Sequence, residues 1–221
     1  MRAIFDQELS QVGEDLHHMA TLVAEAIRNA NESLASGDLH LAEQVIQADQ
    51  KLDALERDLD ERCITLLARQ QPVATDLRVV VSGLRISASI ERMGDLARHV
   101  AQVTRLRFPE QVLPESAKPL FARFAEASNK VAQDIEELMR THDLDLAAKV
   151  EQDDDILDEL HREAFTITLG PDWDGTVSQT VDVTLLGRFY ERFGDHAVSV
   201  AHRVTYLVTG DFDSEQDGAG Q

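Results

Sequence analysis

The 221-residue chain carries 41 acidic and 21 basic side chains, which give it a formal net charge of −20. A field of this sign repels phosphate backbones, so we expect no nucleic-acid binding. Hydrophobic residues make up 43% of the chain, enough for a core, whereas 5% aromatics and 11 glycines are fewer than a β-sandwich or β-barrel usually has. No stretch approaches the roughly 20 apolar residues that span a bilayer, so we expect no direct membrane insertion.

Prolines and glycines divide the chain into segments. All five prolines lie outside the strongly periodic segments, and they mark connections because proline disrupts a helix interior. Three of them, Pro109, Pro114 and Pro119, predict a junction near the middle of the chain. Gly37 and the Gly-Pro-Asp-Trp-Asp-Gly stretch at 170–175 predict two further turns.

Between these breaks, apolar residues recur at steps of three, four or seven, which places them on one face of a helix. We therefore predict six helices. Their apolar series are Phe5, Leu9, Val12, Leu16, Met19, Val23, Ala26 and Ala30; Val45, Leu52, Leu59 and Leu66; Leu77, Val80, Leu84 and Ala88; Leu120, Phe124, Val131, Ile135 and Leu138; Val150, Leu157, Ala164 and Ile167; and Val177, Val181, Thr184, Val198 and Thr205. Predicted N-caps are Asp38, Thr75, Ser116 and Thr176.

The two halves of the chain repeat each other, which indicates duplication of a three-helix unit. The matching blocks are Asp49, Leu52, Asp53, Leu55 and Arg57 with Asp154, Leu157, Asp158, Leu160 and Arg162, and Glu91-Arg92-Met93-Gly94-Asp95 with Glu191-Arg192-Phe193-Gly194-Asp195. We therefore predict an all-α fold of two tandem, sequence-related three-helix bundles. The predicted parts are a first repeat at 1–108, a proline-rich junction at 109–119, a second repeat at 120–209 and a disordered tail at 210–221.

An acidic pair recurs at the matching place in each half. Glu91 and Asp95 continue the apolar series of the third predicted helix, and Glu191 and Asp195 continue that of the sixth. We therefore expect both pairs to face the core, where an uncompensated carboxylate costs several kcal/mol. Carboxylates at i and i+4 also repel each other, so a shared metal ion or arginine partners must offset the charge.

The second helix of each half adds acidic residues beside its apolar stripe. In the first half they are Asp49 and Asp53, followed by Glu56. In the second half they are Asp154 and Asp158, followed by His161. Facing helices would then present oxygen-rich donor sets, which suit Mg²⁺, Mn²⁺ or ferric iron better than zinc or copper. The predicted metal ligands are Glu91, Asp95, Glu191, Asp195, Asp49, Asp53, Asp154 and Asp158. Gly94 and Gly194 predict room for an ion or a close contact between helices; the alternative is a helix glycine without a function, tolerated at a cost of about 1 kcal/mol.

Two interpretations without metal stay open, namely a core in which arginines pair with the acids and a simple solvated face. The arginines within reach would be Arg78, Arg85, Arg92, Arg98, Arg188 and Arg192. Glu14 and His17 form a single motif without a second copy, which favours a surface pair. His99 lies one turn beyond Asp95, but its counterpart Ser199 gives it no support as a ligand.

The cysteine content, the first ten residues and the absence of catalytic motifs indicate the cellular compartment and whether the protein is an enzyme. The chain has a single cysteine, Cys63, so it can form no internal disulfide, and the first ten residues contain no signal-peptide pattern. We therefore expect a cytoplasmic protein with Cys63 in the core. The sequence contains no phosphate-binding glycine loop and no recognisable arrangement of nucleophile and base, so we do not expect an enzyme.

The duplicated Glu-Arg-x-Gly-Asp motif resembles the signature of the PhoU family, as does the segment Pro72-Val73-Ala74-Thr75-Asp76-Leu77-Arg78. The similarity runs from about Phe5 to about Thr209, although the second half has 176–179 in place of a second copy of that segment. The resemblance implies two three-helix bundles with multinuclear metal sites, and commonly a homodimer.

The resemblance further implies a cytoplasmic negative regulator of the phosphate regulon. Such a protein acts between the ATPase subunit of a phosphate ABC transporter and a sensor histidine kinase. The residues themselves leave two other functions open. One is a carboxylate-bridged metal-dependent oxidase or hydrolase, and the other is a metal-free helical interaction protein.

Overall fold

The computed structural model describes the backbone of residues 2–211 and the side chains of residues 5–211. The disordered tail predicted at 210–221 therefore lies, from residue 212 onward, outside the described residues. Within the described range the chain forms six α-helices and no strand, as predicted. They are α1 (Arg2–Ser36), α2 (Leu39–Gln70), α3 (Thr75–Arg107), α4 (Lys118–Thr141), α5 (Leu144–Thr168) and α6 (Val177–Thr209).

The helices form the two predicted three-helix bundles. Helices α1, α2 and α3 pack together, as do α4, α5 and α6, and the bundles join where α3 lies against α6 and α1 against α4. Arg107 near the end of α3 pairs with Asp182 near the start of α6, so these two helices run antiparallel. One continuous hydrophobic core extends through both bundles.

The apolar series predict most of the core correctly but misplace one edge of α3 and α6. Leu77 and Val81 are 40% and 39% exposed, and Val177 and Val181 are 85% and 52% exposed. Val80 is buried as predicted, and the buried face of α3 continues through Ile86, Ile90, Met93 and Ala97. Both helices pack against two helices of their own bundle and also against each other.

The helix starts follow the predicted caps in part. The Asp38 carboxylate accepts from the Leu41 amide at 3.0 Å, and Thr176 forms a capping box with Gln179. Thr75 is wrong as a cap because it is itself the first helical residue, preceded by Ala74. Ser116 is also wrong, since its amide and hydroxyl bind the Asp174 carboxylate.

The connection between the bundles packs against the protein. Val112, Leu113 and Ala117 are buried, and Ser116 ties the segment to the turn between α5 and α6. Helix α4 begins at Lys118, so the last two residues of the predicted junction are helical. Pro119 fits there because an N–H in the first turn of a helix has no intrahelical partner.

A buried polar network crosses between the halves. The Tyr190 hydroxyl of α6 donates to Asn31 Oδ1 of α1 at 2.6 Å. Asn31 Nδ2 in turn donates to Ser128 Oγ at 3.1 Å and to Asn129 Oδ1 at 3.0 Å, both on α4. Three helices are thus joined in a region that excludes water, where each unpaired polar group would carry a desolvation cost.

Candidate metal-binding carboxylate sites

The acidic residues of the first half meet along the seam between α2 and α3. Glu91 and Asp95 lie one turn apart on α3, and Asp49 and Asp53 lie one turn apart on α2. Only 9% of the Asp49 side chain and 15% of each of Glu91 and Asp95 is exposed. The predicted ligands of this half therefore lie at the margin of the core, mostly shielded from solvent.

Two arginines neutralise this first set. Arg98 Nε lies 2.7 Å from Asp49 Oδ2, and its Nη2 donates to Asp95, so this guanidinium bridges α2 and α3. Arg92 lies 3.0 Å from Glu91 Oε2 and 2.8 Å from Asp95 Oδ2. In the first half the arrangement matches the arginine-paired interpretation of the sequence.

Burial dominates the electrostatics of the first set. It raises the pKa of Glu91 to about 7, with repulsion from Asp95 adding to the effect. Burial also raises the pKa of Asp49 to about 6, although the positive charge of Arg98 opposes the rise. Arg98 therefore offsets part, but not all, of the cost of the buried charge.

The second half places its acids in the matching seam between α5 and α6, with a different balance of charge. Arg188 donates to Glu191 Oε1. Across the described residues, neither Asp154 Oδ1 nor Glu191 Oε2 has a hydrogen-bond partner, although both atoms are buried. Asp158 is half-buried and Asp195 is exposed at the rim. The second set therefore lacks the bridging cation of the first.

The carboxyl pKa values of the second half reflect the absence of a bridging arginine among the described residues. Burial raises the pKa of Asp154 to about 7, and repulsion from Asp158 and Asp195 adds to the shift. Burial likewise raises the pKa of Glu191, followed by repulsion from Asp195. Both shifts have the same causes, namely burial of the carboxyl and repulsion from the neighbouring acids.

The two motif glycines allow the helices to approach each other. A Cβ atom on Gly94 would collide with the Leu52 side chain. A Cβ atom on Gly194 would collide with Asp154 Oδ1 and lie 3.0 Å from Leu157 Cδ1. Of the two roles predicted for these glycines, the structure shows the close helix contact, and on α6 that contact brings a carboxylate oxygen against the backbone.

The two halves differ in how well they fit a metal ion. Within the described residues, no group of three or more His, Cys, Asp or Glu side chains is already gathered as a metal centre. The second half nevertheless fits an oxygen-seeking cation, because Asp154 and Glu191 each keep a buried oxygen without a partner. The first half does not fit one, because Arg98 lies between the carboxylates of α2 and α3.

The remaining sequence candidates lie apart from these seams. Glu14 is exposed on α1, and the His99 ring lies tilted against Phe189 with 5.2 Å between centroids. Cys63 is fully buried, as predicted, and burial raises the pKa of its thiol to about 11. The difference between the two seams was not predicted from the sequence, although the corresponding positions differ in charge, with Arg98 in the first half and Val198 in the second.

The raised pKa values predict how stability depends on pH when no metal is present. A carboxyl with a folded pKa above its unfolded value of about 4 stabilises the fold most below pH 4 and loses that contribution as pH rises through the folded value. With the pKa values of Asp154 and Glu91 at about 7, we expect the melting temperature in chelator to fall between about pH 4 and pH 7, by roughly a few degrees.

A double variant provides the control for this pH dependence. Asp154→Asn together with Glu91→Gln should flatten the profile, since neither replacement titrates. Thermal unfolding followed by circular dichroism at each pH measures both proteins. An identical slope in the wild type and the variant would show that other groups produce the pH dependence.

The fold and the two carboxylate seams define the class of protein to which the chain belongs. The chain is a duplicated helical protein with a Glu-x-x-x-Asp pair on the third helix of each bundle. No helix in the described part of the chain has the length and apolar character needed to cross a membrane. The family model described as the PhoU domain matches the chain twice, at residues 16–104 and 121–204.

Relatives along nearly the whole chain agree with that match. The Mycobacterium tuberculosis protein named phosphate-specific transport system accessory protein PhoU homolog 2 is 42% identical over 212 residues, covering 96% of this chain and 100% of the relative. The Mycobacterium leprae PhoU homolog 1 is 41% identical over 220 residues, covering 100% and 99%. The chain belongs to the PhoU family.

Solved structures share the fold. The PhoU crystal structure from Pseudomonas aeruginosa superposes with a TM-score of 0.82 at 30% identity, covering 94% of this chain and 100% of that one. The Streptococcus pneumoniae structure, described as the phosphate transport system regulatory protein PhoU, gives a TM-score of 0.84 at 25% identity, covering 94% and 98%. Both neighbours are therefore similar over the two bundles and their junction.

Proposed function

We propose that this chain is a metal-binding accessory protein and negative regulator of phosphate uptake and of phosphate-responsive gene expression. The observation that carries the proposal is membership of the PhoU family across both bundles. Relatives at 42% and 41% identity are named accessory proteins of a phosphate-specific transport system. The Streptococcus pneumoniae structure carries the description of a regulatory protein of phosphate transport.

In its finer form, the proposal makes the chain a cytoplasmic adaptor, acting as a homodimer. It contacts the ATPase subunit of a phosphate ABC transporter and a sensor histidine kinase, and it restrains the kinase response when phosphate is plentiful. An adaptor fits the chain better than an enzyme, because the seams offer carboxylates without a nucleophile or base in a stated role. A metal-dependent oxidase or hydrolase is the alternative that turnover by the purified protein would favour.

The proposed metal ion is Mg²⁺, Mn²⁺ or iron, held by carboxylates of the seams. Asp154 and Glu191 would bind it through their unpartnered oxygens, with Asp158 and Asp195 on the same two helices. Such a cation supplies positive charge that offsets the buried acids and holds α5 against α6. The chain's own contribution is to position the carboxylates, through the close approach at Gly194.

A complementation experiment tests the regulatory role and the carboxylates together. Deleting the gene should raise a phosphate-starvation reporter in phosphate-rich medium, and the wild-type protein should restore repression. The variant with Glu91, Asp95, Glu191 and Asp195 all changed to alanine should fail to restore it, because the adaptor then lacks its charged seams. Glu14→Ala, an exposed acid on α1, serves as the matched control and should complement fully.

The outcomes separate the alternatives. An unchanged reporter in the deletion strain would contradict the regulatory role. Full complementation by the quadruple variant would keep the regulator but remove the carboxylates from its mechanism, which is the metal-free interaction protein. Circular dichroism of the purified variant shows whether its helices are intact, so that misfolding is not taken for loss of regulation.

A further inference from the structure

The two carboxylate seams correspond by duplication but not by charge. Asp49 and Asp95 of the first half correspond to Asp154 and Asp195 of the second. The residue three positions after the last acid of each motif is Arg98 in the first half and Val198 in the second. This single difference decides whether a positive group lies between the carboxylates of the two helices.

In the first half Arg98 occupies the position that a bridging cation would take. Its Nε lies 2.7 Å from Asp49 Oδ2 on α2, and its Nη2 donates to Asp95 on α3. The side chain is 28% exposed, so most of it is inside the seam. The hydrogen bond to Asp95 on α3 and the ion pair with Asp49 on α2 give these carboxylates an internal counter-ion.

Among the described residues of the second half, no arginine occupies the position that corresponds to Arg98. Val198 carries no charge, and Arg188 lies one turn before Glu191 with 52% of its side chain exposed. Arg188 donates to a single oxygen of Glu191, and the described residues place no donor on Glu191 Oε2 or Asp154 Oδ1. A buried carboxylate oxygen without a donor is unfavourable unless a cation or a proton compensates it.

We propose that Arg98 replaces a metal ion in the first half, so that this chain binds its cation at the second seam alone. This inference rests on the proposed metal-binding function and assigns the site within it. The donors are Asp154, Asp158, Glu191 and Asp195, with His161 on the same face of α5 as Asp158.

His161 narrows the class of metal. Its Nδ1 is buried and has no hydrogen-bond partner among the described residues. The imidazole would therefore offer one nitrogen donor beside the carboxylates. Carboxylates with one imidazole suit Mn²⁺ or Fe²⁺ better than Mg²⁺, which prefers oxygen alone.

The test compares matched variants for Mn²⁺ binding by equilibrium dialysis and elemental analysis. Asp154→Asn should abolish stoichiometric binding, whereas the corresponding Asp49→Asn should leave the wild-type stoichiometry unchanged. Arg98→Val reproduces the second seam in the first half and should add a binding site. Val198→Arg places the internal counter-ion in the second half and should remove the site.

A readout without metal keeps the inference testable even if a variant binds weakly. In chelator, Arg98→Val should lower the melting temperature because Asp49 loses its ion-pair partner and Asp95 keeps only Arg92. Val198→Arg should raise it, because the new guanidinium pairs with unpartnered carboxylates. Mn²⁺ should then raise the melting temperature of the wild type and of Arg98→Val, but not that of Val198→Arg.

Each outcome decides between this inference and the broader proposal. Equal losses of Mn²⁺ from Asp49→Asn and Asp154→Asn would overturn the assignment to the second seam while leaving metal binding in place. Absence of Mn²⁺, iron and Mg²⁺ from the wild-type protein in elemental analysis would overturn metal binding altogether. Arg98→Val without any gain in Mn²⁺ would show that Arg98 does not act in place of the metal.

Discussion

Gly194→Val is expected to destabilise the protein by about 1–3 kcal/mol, the usual cost of overpacking a core. The new side chain cannot be accommodated by moving Asp154 alone, because Leu157 Cδ1 lies 3.0 Å from the Cβ position. Leu157 is itself fully buried and held by the rest of the core. Helix α5 must therefore move away from α6, and the carboxylates of the second seam must move apart with it.

The same substitution elsewhere in the chain provides the control. Gly13 lies in α1, and a Cβ atom added there would meet nothing within 4 Å. Gly13→Val should leave stability unchanged or improve it slightly, since valine has the higher helix propensity by a few tenths of a kcal/mol. Urea unfolding of both variants measures the difference, and equal midpoints would contradict the close-contact role of Gly194.

The effect on cation binding distinguishes the packing role from a general loss of stability. Because Gly194→Val displaces Asp154, it should remove Mn²⁺ even under conditions where the protein is fully folded. The matching Gly94→Val collides with Leu52 and should destabilise the first bundle in the same way. It should nevertheless keep Mn²⁺ if the second seam is the cation site.

The helices and their duplication could be predicted from the sequence because both depend on local spacing. A repeat of three and four residues fixes the face of α1 that carries Val12, Met19 and Val23, whatever that face packs against. The matching acids could be placed on corresponding helices for the same reason. Helix periodicity determines which residues share a face, and duplication determines which helix each face belongs to.

The exposed edge of α3 and α6 could not be predicted in this way. Leu77 and Val177 fit the apolar series, yet they lie at an exposed edge near the start of their helices. A stripe that faces one neighbour is visible in a sequence, but the choice among several apolar faces depends on the tertiary arrangement. The same arrangement leaves Asp195 at the rim, where the sequence predicted a residue facing the core.

The difference between the two seams also could not be predicted from the spacing of residues in the sequence. Arg98 and Val198 can be compared in the alignment of the halves, but the sequence does not show that the Arg98 guanidinium turns towards α2. An arginine has several rotatable bonds, and on a helix it can equally extend into solvent. Only the structure shows that it bridges two helices, so the open choice between metal and arginine has a different answer in each half.

Asn31→Ala is expected to be among the most destabilising single changes in the chain. The side chain lies in the core, where it accepts from Tyr190 and donates to Ser128 and Asn129. Removing it leaves buried groups on α4 and α6 without partners, and each such group costs about 1–3 kcal/mol. Asn29→Ala, two residues earlier on α1 and with no hydrogen bond among the described side chains, should cost much less.

A double-mutant cycle with Tyr190→Phe shows whether the network acts as a unit. Tyr190→Phe removes only the hydroxyl that donates to Asn31, at 2.6 Å, and should cost about 1–3 kcal/mol alone. Because Asn31→Ala already removes that bond, the two costs should fall short of additivity by about 0.5–3 kcal/mol in urea unfolding. Additive costs would mean that the bond contributes nothing. Coupling of the expected size would show that the halves, although duplicated, are held together by a contact that the duplication did not supply, because Tyr190 corresponds to Ile90 in the first half.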